Sequence, residues 1–151
     1  MATLALCDAT GDEPVLLRLS GVSAGLDTAL MLVDALDLMS APVHATTLGM
    51  LDGAAVAIVA VADQRTAGSH ANLRLREPPP PHGFAARELQ THAAHHQRQL
   101  RRLQERIAAA CAHPVDEVAA DMRADRLLDA VQARQYGLLD PTTPIPDPGA
   151  R

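Results

Sequence analysis

The hydrophobic pattern changes period several times along the chain, and each change predicts an element. Val15 to Leu19 (VLLRL) has the length and composition of a short strand, and the small residues Ser20 to Ser23 after it predict a turn. From Leu26 to Met39 the apolar residues Leu26, Leu30, Val33, Leu36 and Leu38 lie mainly at three- and four-residue spacing, the signature of an amphipathic helix that Pro42 closes. Val43 to Leu48 reads as a second strand. Gly53 to Ala62 is apolar throughout, and its alanines favour a buried helix over a strand. Asp63 to Ser69 is a polar turn, and Asn72 to Arg76 alternates as a half-exposed strand does.

Beyond this point the pattern is helical. The run Pro78 to Pro81 has no backbone donors and predicts a stiff, extended connector. Phe84 to Cys111 is then the longest helix, with Leu89, Ala93, His96, Leu100, Leu103, Ile107 and Ala110 forming one stripe suited to packing against another helix. Val115 to Met122 and Leu128 to Gln135 are expected as short helices, and Tyr136 to Asp140 as a turn into a last strand. Residues 141 to 151 (PTTPIPDPGAR) hold four prolines and almost nothing to bury, so a disordered tail is expected. The order of elements defines an α/β domain over residues 15 to 140, between a short N-terminal segment (1 to 14) and that tail.

Composition narrows the function classes. The chain has 151 residues, one Tyr, one Phe and no Trp, so its core must be made of Ala, Leu and Val. The formal net charge is −5 and there is no aromatic platform for base stacking, which argues against nucleic-acid binding. Cys7 and Cys111 fit no metal or redox spacing and suit a reduced compartment. The N-terminus lacks the basic start and long apolar stretch of a secretory signal, and the longest apolar run, Ala54 to Ala62, is far short of the ~20 residues that cross a bilayer. A cytoplasmic protein with no membrane partner is expected.

Several residues carry a more specific pattern. Asp121-Met-Arg-Ala-Asp125-Arg126 is followed, ten residues after Arg126, by Tyr136-Gly-Leu-Leu-Asp140. Ala71 to Pro78 is a strand running into Glu77-Pro78, and Ala85 to Cys111 is one long helix. Together these resemble the proteolytic subunit of the Clp protease (ClpP), within the crotonase-like superfamily, and the register holds without a gap from Leu51 to Asp140. The resemblance implies a ClpP/crotonase-like spiral of strand-strand-helix units with a long handle helix. Upstream, Val15 to Ser23 takes the place of the family's strand and Ser-Pro-Gly-Gly loop. The first strand and helix, with the axial gating loop and much of the surface that docks the ATPase, have no counterpart, so docking of an ATPase is doubtful.

The resemblance also implies which residues occupy the Ser-His-Asp triad of the family. Leu51, ahead of Asp52-Gly53-Ala54, stands at the serine position, and no Ser or Cys occurs between Ala41 and Gly68. Arg76 stands at the base position, and an arginine stays protonated at any working pH. Asp125 is the one retained position, for which an ion pair with Arg76 is expected. The implied oxyanion region is Ser20, Gly21, Ser23 and Gly53; its loop, Ser20 to Ala24, keeps one glycine where the family has two together, and close backbone approach is what such glycines permit. The implied reading is a catalytically inactive, ClpP-like pseudoprotease without cofactor or metal. It would act through assembly, as a homo-oligomer or with an active ClpP paralogue, through a contact carried by Leu89, His96, Leu100, Leu103 and Ile107. Pro80 and Pro81 stand where the family has glycines in the handle strand, which puts the family's own mode of ring stacking in question.

Two other readings stay open from the residues alone. One is an active serine-protease-like or other crotonase-like hydrolase that uses unrecognised residues around Asp125, Thr46 and Thr47. The other is a ligand-binding module. His92, His95 and His96 share a helix face at i, i+3 and i+4, but no carboxylate or Cys is spaced to complete a metal site, so a solvated or inter-subunit face is the simpler assignment.

Overall fold

The computed structural model describes residues 13–80 and 82–141. Its elements, in chain order, are β1 (Val15–Ala24), α1 (Leu26–Asp37), β2 (Val43–Gly53), α2 (Val56–Ala60), β3 (Gln64–Ala67), β4 (Asn72–Leu75), α3 (Ala86–Cys111), α4 (Val115–Arg123), β5 (Arg126–Asp129) and α5 (Ala130–Tyr136). The expected N-terminal segment, except Glu13 and Pro14, and the expected Pro-rich tail beyond Pro141 lie outside the described residues.

One five-stranded sheet organises the chain in the order β1-β2-β4-β5, with β3 also paired to β2. β2 is parallel to β1, β3 and β4, whereas β4 and β5 run antiparallel. Along one edge of β2, residues 44–47 pair with β3 and residues 50–52 with β4, so a single long strand serves two shorter ones in succession. Helical crossovers join the parallel strands β1 to β2 and β2 to β3, the connection that parallel pairing requires.

The core lies between the sheet and the helices. Leu19, Val43, Ala45, Leu51, Leu73, Leu75 and Leu128 from the strands meet Leu26, Ala29, Val33 and Leu36 of α1, all of α2, and Leu100, Leu103, Ile107 and Cys111 of α3. With almost no aromatic residues, close approach of elements replaces side-chain bulk. Ala54, Ala55, Val56 and Ala57 are all fully buried and let α1 and α3 pack directly on α2. The opposite positions of the strands, among them Leu16, Leu48, Met50 and Leu127, are exposed.

Four expectations are corrected. Ser20 to Ser23 is not a turn: β1 continues through it, with a register shift between Ser20 and Val22 where Gly21 (φ 60°) lies beside Gly49 (φ 68°) on β2. Asp63 to Ser69 is not wholly a turn either, because Gln64–Ala67 forms β3; Asp63 accepts from the Val43 N–H at 2.7 Å and so fixes the start of that pairing. The segment expected as a helix from Leu128 begins as β5, and helix starts only at Ala130, where Asp129 and Gln132 form a reciprocal capping box. Finally, no strand follows Tyr136 among the described residues.

Instead, Tyr136 to Asp140 forms a clasp. Gly137 (φ 96°) closes α5, and the Asp140 N–H donates to the Arg65 carbonyl at 2.9 Å. In return the Arg65 backbone N–H donates to Asp140 Oδ2 at 2.8 Å, and its guanidinium donates to the carbonyls of Ala110 and Gly137. The strongest sequence motif is thus a tertiary lock joining β3, α3 and α5.

Candidate functional site

Leu51 lies in β2, beyond the glycine kink, in register with Val22 on β1 and Leu73 on β4. Its side chain is fully buried, among the largest in the core to be so. Burying a leucine there contributes about 1.5–3 kcal/mol by removing apolar surface from water. Nothing at this point is presented to solvent.

The charged residues collect just beyond it. Asp52 follows Leu51 and stands opposite Arg74 in the β2–β4 register. Arg74 in turn lies opposite Leu127 of β5, beside the bend that carries Asp125. That bend holds Asp125 at φ 57°, a left-handed conformation that aspartate tolerates better than most residues. Arg74 grips it in a fork: Nε donates to Oδ1 at 2.6 Å and Nη2 to Oδ2. The geometry matches the planar guanidinium to the planar carboxylate.

The Arg74 hydrogen bonds hold the Asp125 carboxyl below the usual carboxylate range, with the charges of Arg74 and Arg76 adding to the effect and desolvation opposing it. Reciprocally, hydrogen bonding to Asp125 raises Arg74 above an already high value.

The expected Arg76–Asp125 pair is therefore corrected. Both arginines point to the same side of the alternating strand, but Leu75, paired with Arg126, is the last residue of β4 in register with β5. Arg76 lies beyond that pairing and meets Asp52 instead, at 4.0 Å. Asp52 Oδ1 is buried without a hydrogen-bond partner among the described residues. Gly53 (φ 61°) brings the backbone under Arg76, where an added Cβ would lie 3.7 Å from the Arg76 carbonyl. The outcome is a cluster of two arginines and two aspartates around the end of β2.

The remaining expected positions are separated from it in different ways. Ser20, Gly21 and Ser23 are exposed along β1, on the far side of β2 from β4. Thr46 and Thr66 share a hydroxyl-to-hydroxyl hydrogen bond of 2.9 Å, and the Thr47 hydroxyl is buried without a partner among the described residues. Neither arrangement activates a nucleophile, which needs an adjacent base. The thiol of Cys111 is pushed up to about 11 by burial, so it stays protonated and inert.

The expected assembly contact divides into two. Leu100, Leu103 and Ile107 are 5%, 0% and 0% exposed, because the C-terminal half of α3 turns its apolar stripe into the chain's own core. They are corrected to core residues. Leu89, at 48% exposed, and the half-buried His96 continue the same stripe on the N-terminal half, beyond the body. There His92, His95 and His96 line a cavity of about 330 Å³ together with Gly25 to Thr28, Pro79 and Phe84. Among the described residues no group of three or more His, Cys, Asp or Glu is placed to hold a metal.

Sequence reasoning missed Arg74 and the engagement of Asp52. The alternation of Asn72 to Arg76 already put both arginines on one face, but only the register across β2, β4 and β5 distinguishes their partners.

These features describe an α/β chain built on a mostly parallel sheet, with one long helix and a charge-paired cluster at the end of β2. The chain belongs to the Clp protease family, whose family model matches residues 1–143. It is 32% identical over 77 residues to ATP-dependent Clp protease proteolytic subunit 3 of Rhodococcus jostii (strain RHA1), a match covering 51% of this chain and 38% of that protein. It is 30% identical over 138 residues to a Streptomyces coelicolor (strain ATCC BAA-471 / A3(2) / M145) protein described as "ATP-dependent Clp protease proteolytic subunit-like", covering 88% of this chain and 65% of that one. The chain thus spans less than two thirds of the length of either relative.

Proposed function

We propose that this chain is a catalytically inactive member of the Clp protease family that acts through assembly, either with copies of itself or as a modulating subunit beside an active paralogue. One observation supports the reading: Leu51, which the resemblance sets at the family's serine position, is fully buried, and Arg76, which it sets at the base position, meets Asp52. The retained aspartate, Asp125, is already occupied by Arg74. A chain with neither nucleophile nor base keeps only residual catalysis.

Assembly is supported by α3, whose stripe is covered in one half by the chain's own core and in the other is exposed at Leu89 and Ala93 and half-buried at His96. Proteolysis, nucleic-acid binding, a cofactor and ATPase docking have no part in this reading. Cytoplasmic placement accords with the acidic, cysteine-poor composition, and no helix of the described residues is long and apolar enough to cross a membrane.

Two measurements on the purified full chain test it. A panel of fluorogenic peptides should show no turnover above a blank, and light scattering should give a mass above that of one chain. Turnover that survives purification would overturn the inactive assignment, and a strict monomer that also fails to bind an active paralogue would overturn assembly.

A further inference from the structure

The geometry points to a binding site in the cleft between α1 and α3 for a small zwitterion with an apolar side chain, of the class of a free apolar α-amino acid. The site is independent of the assembly reading and of the cluster around Asp125.

The cleft encloses about 420 Å³, within the range of small-molecule sites. One wall is a single face of α1, where Leu30, Val33, Asp34 and Asp37 stand at i, i+3, i+4 and i+7, and the other belongs to α3. Both helices pack on the buried α2, so the core fixes the walls. The half-buried Leu30 and the buried Val33 supply the apolar surface of the cleft.

Its charged groups are not equivalent. Arg106 and Asp37 join the two helices in an ion pair of 2.7 Å, and Glu105 is engaged by Arg101 at 3.6 Å. Asp34 and Arg102 also line the cleft, yet among the described residues neither has an ion-pair partner, and they do not pair with each other. Arg102 is nonetheless oriented. Its Nη1 donates to Gln99 Oε1 at 3.1 Å, which leaves uncommitted the Nε and Nη2 edge that can take a carboxylate through two parallel bonds. A zwitterion matches this set: carboxylate on the open edge of Arg102, ammonium on Asp34, side chain against Leu30 and Val33. A ligand of one charge would compensate only one of the two groups, and one without an apolar part would leave the leucine and valine to water.

Isothermal titration of the purified full chain with L-leucine reads the site. Saturable binding of one molecule per chain is expected, with a dissociation constant in the millimolar range or tighter. Isocaproate, which lacks the ammonium, and isoamylamine, which lacks the carboxylate, should each bind at least about tenfold more weakly, because each forgoes one hydrogen-bonded charge. Asp34→Asn and Arg102→Gln should weaken leucine by a similar factor. Both positions are exposed on helix surfaces, and unchanged helical circular dichroism checks that the variants fold; should one unfold, the analogue series on the parent chain still decides. Glycine, with no side chain to cover Leu30 and Val33, should also bind less tightly than leucine. Absence of saturable leucine binding, or binding that both folded variants leave unchanged, overturns the proposal. Equal binding of leucine and isocaproate overturns it too, since the cleft would then be an anion contact only.

Discussion

The clasp around Asp140 and the cluster around Leu51 both carry the family pattern, yet different forces hold them. The clasp is held by directed hydrogen bonds. Asp140 takes Arg65 through backbone and side chain, the Tyr136 hydroxyl donates to Asp121 at 2.7 Å, and His113 stacks on the Tyr136 ring with centroids 4.2 Å apart. Burial, and next the hydrogen bond to Asp121, raise the Tyr136 phenol well above its ordinary value, so it remains a donor. Around Leu51 the backbone frame remains, with its glycine kink and left-handed Asp125, but the side chains are apolar packing or exposed ion pairs. The contrast teaches that one region of this fold is held by a network of directed hydrogen bonds and the other by burial of a leucine beside ion pairs.

The largest expected effect tests whether Leu51 is now core. Leu51→Ser restores a hydroxyl at the family's serine position, and it should destabilise the chain by about 3–5 kcal/mol, through a cavity and a buried hydroxyl, without producing activity. Urea unfolding reads the first outcome and a fluorogenic peptide the second. A stable, active variant would mean that the site is dormant rather than built over.

Next comes the clasp. In Gly137→Ala the new Cβ would sit 2.9 Å from the Cys111 carbonyl oxygen on a backbone at φ 96°. A loss of about 2–4 kcal/mol is expected from left-handed strain and the contact together. Unchanged thermal stability would show that the clasp is dispensable.

The smallest effect is electrostatic. The Asp125 carboxyl is lowered in the folded chain, so its ion pair with Arg74 stabilises above the unfolded aspartate range and is lost as pH falls through the folded value. Asp125→Asn should therefore melt slightly below the parent at neutral pH and converge with it once the pH has fallen below the lowered folded value. With both partners exposed by a third or more, solvent keeps this difference small. A gap that persists in acid would point to the left-handed turn, not the charge.

Much of the frame was legible in the sequence because apolar residues recur along α1 and α3, and because the Tyr136 to Asp140 motif is distinctive. β3 was illegible for a physical reason: Gln64, Arg65 and Thr66 have no alternation to read, and their strand is made by pairing to β2 and by Arg65 locking onto Asp140. β5 was hidden by its junction with α5, where one apolar run changes conformation at Asp129. At the candidate site, residue types gave the expectation of Leu51 and Arg76 at the serine and base positions, but not that Arg74 would take Asp125. Likewise the stripe of α3 was visible, whereas only packing shows where Leu100, Leu103 and Ile107 leave the surface.

Chemical silence at the site is tested most directly by incubating the purified full chain with an alkyl fluorophosphonate and recording its intact mass. The mass should remain that of the unmodified protein if, as proposed, Leu51 and Arg76 stand at the nucleophile and base positions. A stoichiometric adduct, suppressed by prior denaturation, would reveal an activated hydroxyl and contradict the reading of this chain as an inactive subunit.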